Sequence, residues 1–290
     1  MSPEDPKTGG SVPFEIRPQA RDAAEVRACH EANRIAWNEG AVAYSEEIEE
    51  TVRFLRSGGS NLHPVERANL GVLKDWCSSA IHLQCASGRD TLSLRNEGVA
   101  NLTGIDISDL HIENARATAT ALGWPATFVR CDLLDTPHEF DGTADLVYTG
   151  RGAYCWIHDL DAWAAVAHRL LKPGGVLSFF DDHPVTWLFD FDAEGYVPSG
   201  IDYFRHAESS RGWPSVYLGD LGKPIEEHAI KYERLWTVAD LHGAIVRAGF
   251  TVERLGEHPD RYWDAFPNLR PELRGRIPMT LSIIARRPRV

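Results

Sequence analysis

Long apolar runs are missing from these 290 residues, and none approaches the ~18 consecutive apolar residues that a membrane-spanning helix requires. Cysteine is scarce. Cys29, Cys77, Cys85, Cys131 and Cys155 are odd in number and include no CxxC pair, which argues against a zinc ribbon or a disulfide framework and for a reducing cytoplasm. Lysine occurs only at positions 7, 74, 172, 223 and 231, and the formal net charge is -12. A nucleic-acid partner is therefore not expected, because affinity for such a partner comes largely from neutralising many phosphates with basic residues. No cluster of His and carboxylates stands at metal-ligand spacing, so no metal is expected. The first 20 residues are polar and rich in Pro and Gly, with Glu4, Asp5 and Lys7 where a signal peptide would need an apolar core. They read as a disordered arm.

What is present is an ordinary globular composition, 43% apolar and 25% charged, enough to bury a full core. Residues 21–78 read as a helical flap, with helices over Asp22–Gly40, Ser45–Leu55 and Pro64 to about Trp76; Pro64 suits a first helical turn. From Ser79 short apolar strands alternate with helices: Ala80–Cys85, Val99–Ile107, Ala126–Cys131, Ala144–Thr149 and Val176–Phe180 are the strands. This rhythm predicts an α/β fold, a doubly wound and mostly parallel sheet that binds ligands beyond the C-terminal ends of its strands. Residues 79–182 form the expected cofactor-binding core. Residues 183–236, rich in Trp, Tyr, Phe, Gly and Pro, read as a lid insertion over a substrate. Residues 237–290 supply a helix, closed by Gly249, and the last strands of the sheet.

The chemistry begins in His82-Leu83-Gln84-Cys85-Ala86-Ser87-Gly88-Arg89-Asp90, where a strand enters a turn of small residues and then a helix. Such a turn lets a ligand approach the backbone at a helix N-terminus. Asp106 follows about twenty residues later, at the end of Gly104-Ile105-Asp106-Ile107, where an acid can accept hydrogen bonds from ribose hydroxyls. An adenosine-containing ligand is implied. Asp132 ends the third strand of this series, and Lys172-Pro173-Gly174-Gly175 turns a helix into the fifth.

With these motifs in this order, Ser79 to Arg287 resembles the class I S-adenosylmethionine-dependent methyltransferases, and the wording of HLQC, Tyr148-Thr149-Gly150, Cys155-Trp156 and His183-Pro184 resembles a bacterial small-molecule subgroup of specialised metabolism. The resemblance implies a Rossmann-like fold, S-adenosyl-L-methionine as cofactor with S-adenosyl-L-homocysteine as product, a small-molecule acceptor, and allows a homodimer. On it, Gln84, Cys85, Ala86 and Gly88 line the methionine moiety, Asp106 binds ribose, Ile107 and Leu133 sandwich adenine, Asp132 bonds the adenine amino group, Thr149 stands where the methyl donor meets the acceptor, and Tyr44 covers the cofactor. The family turn reads acid-x-Gly-x-Gly-x-Gly, whereas His82, Gln84 and Ala86 occupy its first three marked positions here.

Methyl transfer needs alignment and, where the acceptor carries a proton, a base. His183, with Asp182 beside it, is the first candidate base, since histidine titrates near neutrality; His63 and His258 are rivals. Arg151, Tyr154, Trp156, Trp187, Tyr203, Phe204, Trp236 and Tyr262 are candidate acceptor contacts, because aromatic rings offer large contact area at little entropic cost. The acceptor expected is an aromatic or heterocyclic natural-product intermediate, methylated at oxygen, nitrogen or an indole-type carbon. Two other readings stand beside this one: a non-enzymatic S-adenosylmethionine-binding or regulatory protein with a degenerate site, and an NAD-binding oxidoreductase, which would want more glycines in the turn.

Overall fold

The structure, a computed structural model, describes residues 12–204, 206–213, 215–219 and 221–289. A short strand, β1 (Phe14–Ile16), precedes three helices: α1 (Ala23–Glu46), α2 (Ile48–Arg56) and α3 (Pro64–Leu70). Alternation then follows through β2 (Ser79–Leu83), α4 (Arg89–Asn96), β3 (Asn101–Asp106), α5 (Asp109–Leu122), β4 (Thr127–Arg130), β5 (Ala144–Gly150), α6 (Leu160–Leu170) and β6 (Leu171–Asp182). Beyond it lie β7 (Ala207–Arg211), α7 (Ser215–Leu218), β8 (Ile230–Arg234), α8 (Val238–Arg247), β9 (Thr251–His258) and β10 (Thr280–Arg286).

Local chemistry sets the helix boundaries. Asp22 caps α1 by accepting from the amides of Ala24 and Glu25 at 2.9 and 3.0 Å, Ser108 caps α5, Asp159 caps α6, and Thr237 with Asp240 makes a capping box on α8. Each such cap stabilises its helix by about 1 kcal/mol. Pro64 starts α3 as expected, but the helix stops at Leu70, where Gly71 takes a positive φ, and only a single 3-10 turn over Leu73–Asp75 follows.

The main sheet has seven strands in the order β4-β3-β2-β5-β6-β10-β9. Neighbours from β4 to β6 run parallel, and β10 is antiparallel to both β6 and β9. Successive strand residues face opposite sides, and both sides are apolar. Ile81, Leu83, Val147, Leu177, Phe179 and Ile283 pack against Trp163 of α6 and Leu241 and Ile245 of α8, while Ala80, Leu146, Tyr148 and Ile284 meet Leu70 and Leu94 on the other side. Burial on both faces is the reason these strands are nearly continuous apolar runs.

Two expectations change here. The arm assigned to residues 1–20 is ordered in its second half, where Phe14–Ile16 pairs antiparallel with Ala207–Arg211; residues 1–11 lie outside the described residues. The lid, in turn, has regular structure. It contributes β7 and β8, five residues each, to a three-stranded sheet of order β1-β7-β8; their sequences, AESSR and IKYER, lack the apolar run by which the core strands are read.

Candidate functional site

Where β2 ends, the chain turns sharply through Gln84–Gly88 before α4. Gln84 and Ala86 adopt φ of 59° and 45°, and Gly88 a φ of 80°. The two non-glycine residues thus hold the left-handed conformation that glycine normally takes, at roughly 1–2 kcal/mol each. A Cβ on Gly88 would meet Ala115 at 2.8 Å and Phe128 at 3.1 Å, and one on Gly150, at the end of β5, would lie 1.9 Å from the Phe180 carbonyl oxygen. Arg151 is a third non-glycine residue at positive φ, 58°. Strain of this kind collects at ligand sites.

Around the turn lies a cavity of about 340 Å³, bounded by the C-terminal ends of β2, β3, β4 and β5 and roofed by α1. Tyr44, Gln84, Cys85, Ala86, Gly88, Asp106, Ile107, Asp132 and Leu133 all line it. Asp106 accepts from the amides of Ala86 and Ser108, both at 2.8 Å. Burial pushes its carboxyl up to about 6, against the backbone N–H groups of Ser108, Ala86 and Ile107, which favour the ionised form. Asp132 is tied to α1: its Oδ2 lies 2.8 Å from His30 Nδ1 and 2.7 Å from Arg27 Nη1, and its Oδ1 accepts from the Leu134 amide. His30 Nε2 in turn accepts from the His158 amide, so the ring is the neutral tautomer with its proton on Nδ1.

A second cavity, of about 390 Å³, adjoins the first. The two share Trp37, Arg151, Gly152, Trp156, Tyr217, Tyr262 and Trp263. Five indole rings, those of Trp37, Trp156, Trp187, Trp213 and Trp263, line the second cavity, and Lys231 of the lid sheet places its ammonium 5.6 and 5.3 Å from the Trp156 and Trp213 ring centres. Asp182, at the end of β6, lines it too. Its carboxylate accepts from the Tyr262 hydroxyl at 2.7 Å and from the Trp263 indole N–H at 3.1 Å. Burial, and then the neighbouring Asp181, push its carboxyl up to about 7.

The loop that separates the cavities is pinned from beneath. Asp181, fully buried, accepts from the consecutive amides of Gly152, Ala153 and Tyr154 at 2.7, 2.9 and 3.1 Å. Arg151 is fixed from the other side, by Asp90 at 2.5 Å and by the Asn61 carbonyl at 2.9 Å.

Several expected site residues fall elsewhere. His183 lines neither cavity; its Nδ1 accepts from the Val185 amide as a helix cap and its Nε2 lies 2.8 Å from Glu257. Strand alternation turns it away from Asp182. Its rivals are also engaged: His63 caps α3 and stacks on Phe180, and His258 bonds Ser282. Thr149 is buried inside β5, outside the cavity. Tyr154 and Trp236 belong to the core beside α6 and α8, the Trp236 indole bonding the Ile157 carbonyl at 2.8 Å. Tyr203 lies at the start of α8, 3.5 Å from the Val238 amide, and Phe204 is exposed to solvent. Arg151, Trp156, Trp187 and Tyr262 do line the second cavity.

Sequence reasoning missed His30, Asn61, Asp90 and His111 in the first cavity and Glu208, Lys231 and Glu233 in the second. Asp90 ends the run His82–Asp90 but drew no function there, and the others carry no motif; tertiary packing alone collects them.

Comparison with known proteins bears on the segment that holds the turn. Residues 80–175 match the model of the methyltransferase domain. An uncharacterized methyltransferase of Synechocystis is 29% identical over 203 residues, covering 67% of this chain and 86% of that protein. Among solved structures, an S-adenosylmethionine-dependent methyltransferase from Mesorhizobium loti superposes with a TM-score of 0.52 at 24% identity, over 79% of this chain and 99% of that one. Another, from Clostridium acetobutylicum, gives 0.55 at 13% identity, over 84% and 99%. The likeness to these two is one of fold. The matched segment spans β2 to the start of β6, so the flap, the lid and β7 to β10 lie outside it.

The residues around the first cavity fit S-adenosyl-L-methionine, the cofactor that the resemblance implies. Apolar walls at Ile107 and Leu133 suit adenine, Asp106 suits ribose, and Gln84 keeps a buried amide oxygen without a partner among the described residues.

Proposed function

We propose that the protein transfers a methyl group from S-adenosyl-L-methionine to a small aromatic or heterocyclic acceptor, an intermediate of natural-product biosynthesis, at an oxygen, a nitrogen or an indole-type carbon. One observation carries this reading: the indole-lined cavity adjoins the cofactor cavity, with shared walls at Trp37, Gly152, Trp156 and Tyr262. Flat rings stack well on indole faces.

In this reading Gln84 to Gly88 receive the methionine end, Asp106 the ribose, and Ile107, Asp132 and Leu133 the adenine. When bound, the cofactor supplies a methyl carbon already activated by its sulfonium. The chain's remaining work is to align the acceptor and to take a proton where one must leave. Asp182 is the group we assign to that proton. It stands in the acceptor cavity, its hydrogen-bond donors Tyr262 and Trp263 are neutral, and a carboxyl near 7 is poised to act as a base at neutral pH. Trp156, Trp187 and Tyr262 frame the acceptor, and Arg151, held by Asp90, stiffens the junction. All five cysteines are free, which suits a reducing cytoplasm.

The test is incubation of the purified protein with S-adenosyl-L-methionine and a panel of aromatic amines, phenols and indoles, read by mass spectrometry. A singly methylated product, with S-adenosyl-L-homocysteine formed in equal amount, is the expected result. Protein that binds S-adenosyl-L-homocysteine yet methylates none of them would instead be a non-enzymatic binding protein.

A further inference from the structure

Among the residues that line the cofactor cavity, Gln84, Arg89, His111 and Arg151 each keep a buried side-chain atom without a hydrogen-bond partner among the described residues, and those of Gln84 and His111 are uncharged. Gln84 donates its amide N–H to the Ala153 carbonyl at 2.7 Å, which leaves Oε1 as an unmatched acceptor. His111, 1% exposed, has Nδ1 2.8 Å from the Ser87 hydroxyl, and its Nε2 is unmatched. The Ser87 oxygen also accepts from Asn114 Nδ2 at 3.3 Å. In the tautomer that takes the Ser87 proton on Nδ1, the ring proton sits on Nε2 and His111 offers a neutral donor. An unmatched buried donor or acceptor costs about 1–3 kcal/mol, and a ligand carrying both complementary groups removes both costs at once.

Both atoms belong to the end of the cavity that meets the acceptor chamber. Ala153, which holds Gln84, follows the shared Gly152, and the His111 ring packs 5.3 Å from Trp37, another shared wall. The adenine side, at Leu133 and Asp132, has its own partners in His30 and Arg27. His82, at the acid position of the family turn, bonds Thr91 Oγ1 at 2.8 Å beneath Tyr148 and lines neither cavity. Both Asp90 oxygens are taken, one by Asn61 and the other by Arg151, each at 2.5 Å.

We infer that Gln84 Oε1 and His111 Nε2 bind the two charged ends of the cofactor's amino-acid tail, the amide oxygen accepting from the α-ammonium and the imidazole N–H donating to the α-carboxylate. This rests on the methyltransferase reading above. It also gives the strained Gln84 a function, since a glycine at this φ would relieve the backbone and lose the acceptor.

Calorimetric titration with two ligands separates the possibilities. S-adenosyl-L-homocysteine carries the amino-acid tail, and 5′-methylthioadenosine has the same nucleoside thioether without it. The wild-type chain is expected to bind the first at least about tenfold more tightly. Gln84→Gly, which suits the positive φ, and His111→Phe, which keeps the ring between Trp37 and Tyr44, should each lose about tenfold on S-adenosyl-L-homocysteine. Both should bind 5′-methylthioadenosine as the wild type does, which also shows that they fold. Equal losses on the two ligands, or no loss on the first, overturn the inference and leave the methyltransferase reading in place. Wild-type protein that is folded and binds neither ligand ends both.

Discussion

Asp182 and His183 are adjacent in sequence and opposite in fate. Both were legible as candidates because they follow the fifth strand of the doubly wound series, at the sheet edge where ligands bind. What the chain could not reveal was which of the two would face the cavity, because that depends on where β6 ends and on the cap that His183 makes for Val185. Asp182 carries the prediction at this scale. With its carboxyl raised to about 7, the ionised base is lost as the pH falls through 7, so kcat/KM should fall with it, and Asp182→Asn should remove most of the turnover at every pH. Stability should move the other way. A carboxyl whose folded pKa lies above its unfolded value opposes folding increasingly as the pH rises from about 4 to 7. Asp182→Asn should therefore melt a few degrees higher than the wild type at pH 8 and show no such gain at pH 4, as scanning calorimetry at the two pH values can check. A variant no more stable at pH 8 than the wild type would show that this carboxylate is not held against its ordinary ionisation.

Among the elements, α1 is the one whose function sequence pattern concealed. Its caps and period predict a helix and the resemblance puts Tyr44 over the cofactor, yet neither tells that Trp37 lines both cavities. It also carries the lid. Asn33 exchanges bonds of 2.8 and 2.7 Å with the backbone of Tyr232, and Glu39 holds Lys223 at 2.8 Å, His228 at 3.2 Å and the Ala229 amide at 3.0 Å. Glu39 lines neither cavity, so it tests the coupling cleanly. Glu39→Ala should cost about 1–2 kcal/mol of stability and raise the acceptor KM, while calorimetry finds the affinity for S-adenosyl-L-homocysteine unchanged. If the acceptor KM stays at its wild-type value, the grip of α1 on the lid has no part in shaping the acceptor cavity.

For the molecule as a unit, the cofactor cavity draws on α1, β2, β3, β4 and β5 together, so a ligand there should stabilise all of them at once. At a hundredfold excess over its Kd, S-adenosyl-L-homocysteine adds about 2.7 kcal/mol, which for a chain of this size raises Tm by roughly 4–5 °C. NAD at the same concentration should leave Tm where it was. A shift with NAD alone would favour the oxidoreductase reading that the sparse glycines argue against. Hydrogen exchange should show protection spreading from the Gln84–Gly88 turn into α1, because Asp132 is bonded to both Arg27 and His30.

The alternation of apolar strands and capped helices determined the doubly wound core, and the order of Gln84–Gly88, Asp106 and Asp132 marked residues that line one cavity, because those features depend on local period and on fixed spacing along a βαβ unit. Tertiary structure decided the rest. Phe14–Ile16 becomes a strand only because β7 lies beside it. Tyr154 and Trp236 look like acceptor contacts until the helices pack and draw them into the core. His111, Asp182 and the five indoles converge from separate elements, and no periodicity along one segment records where a side chain from another will point.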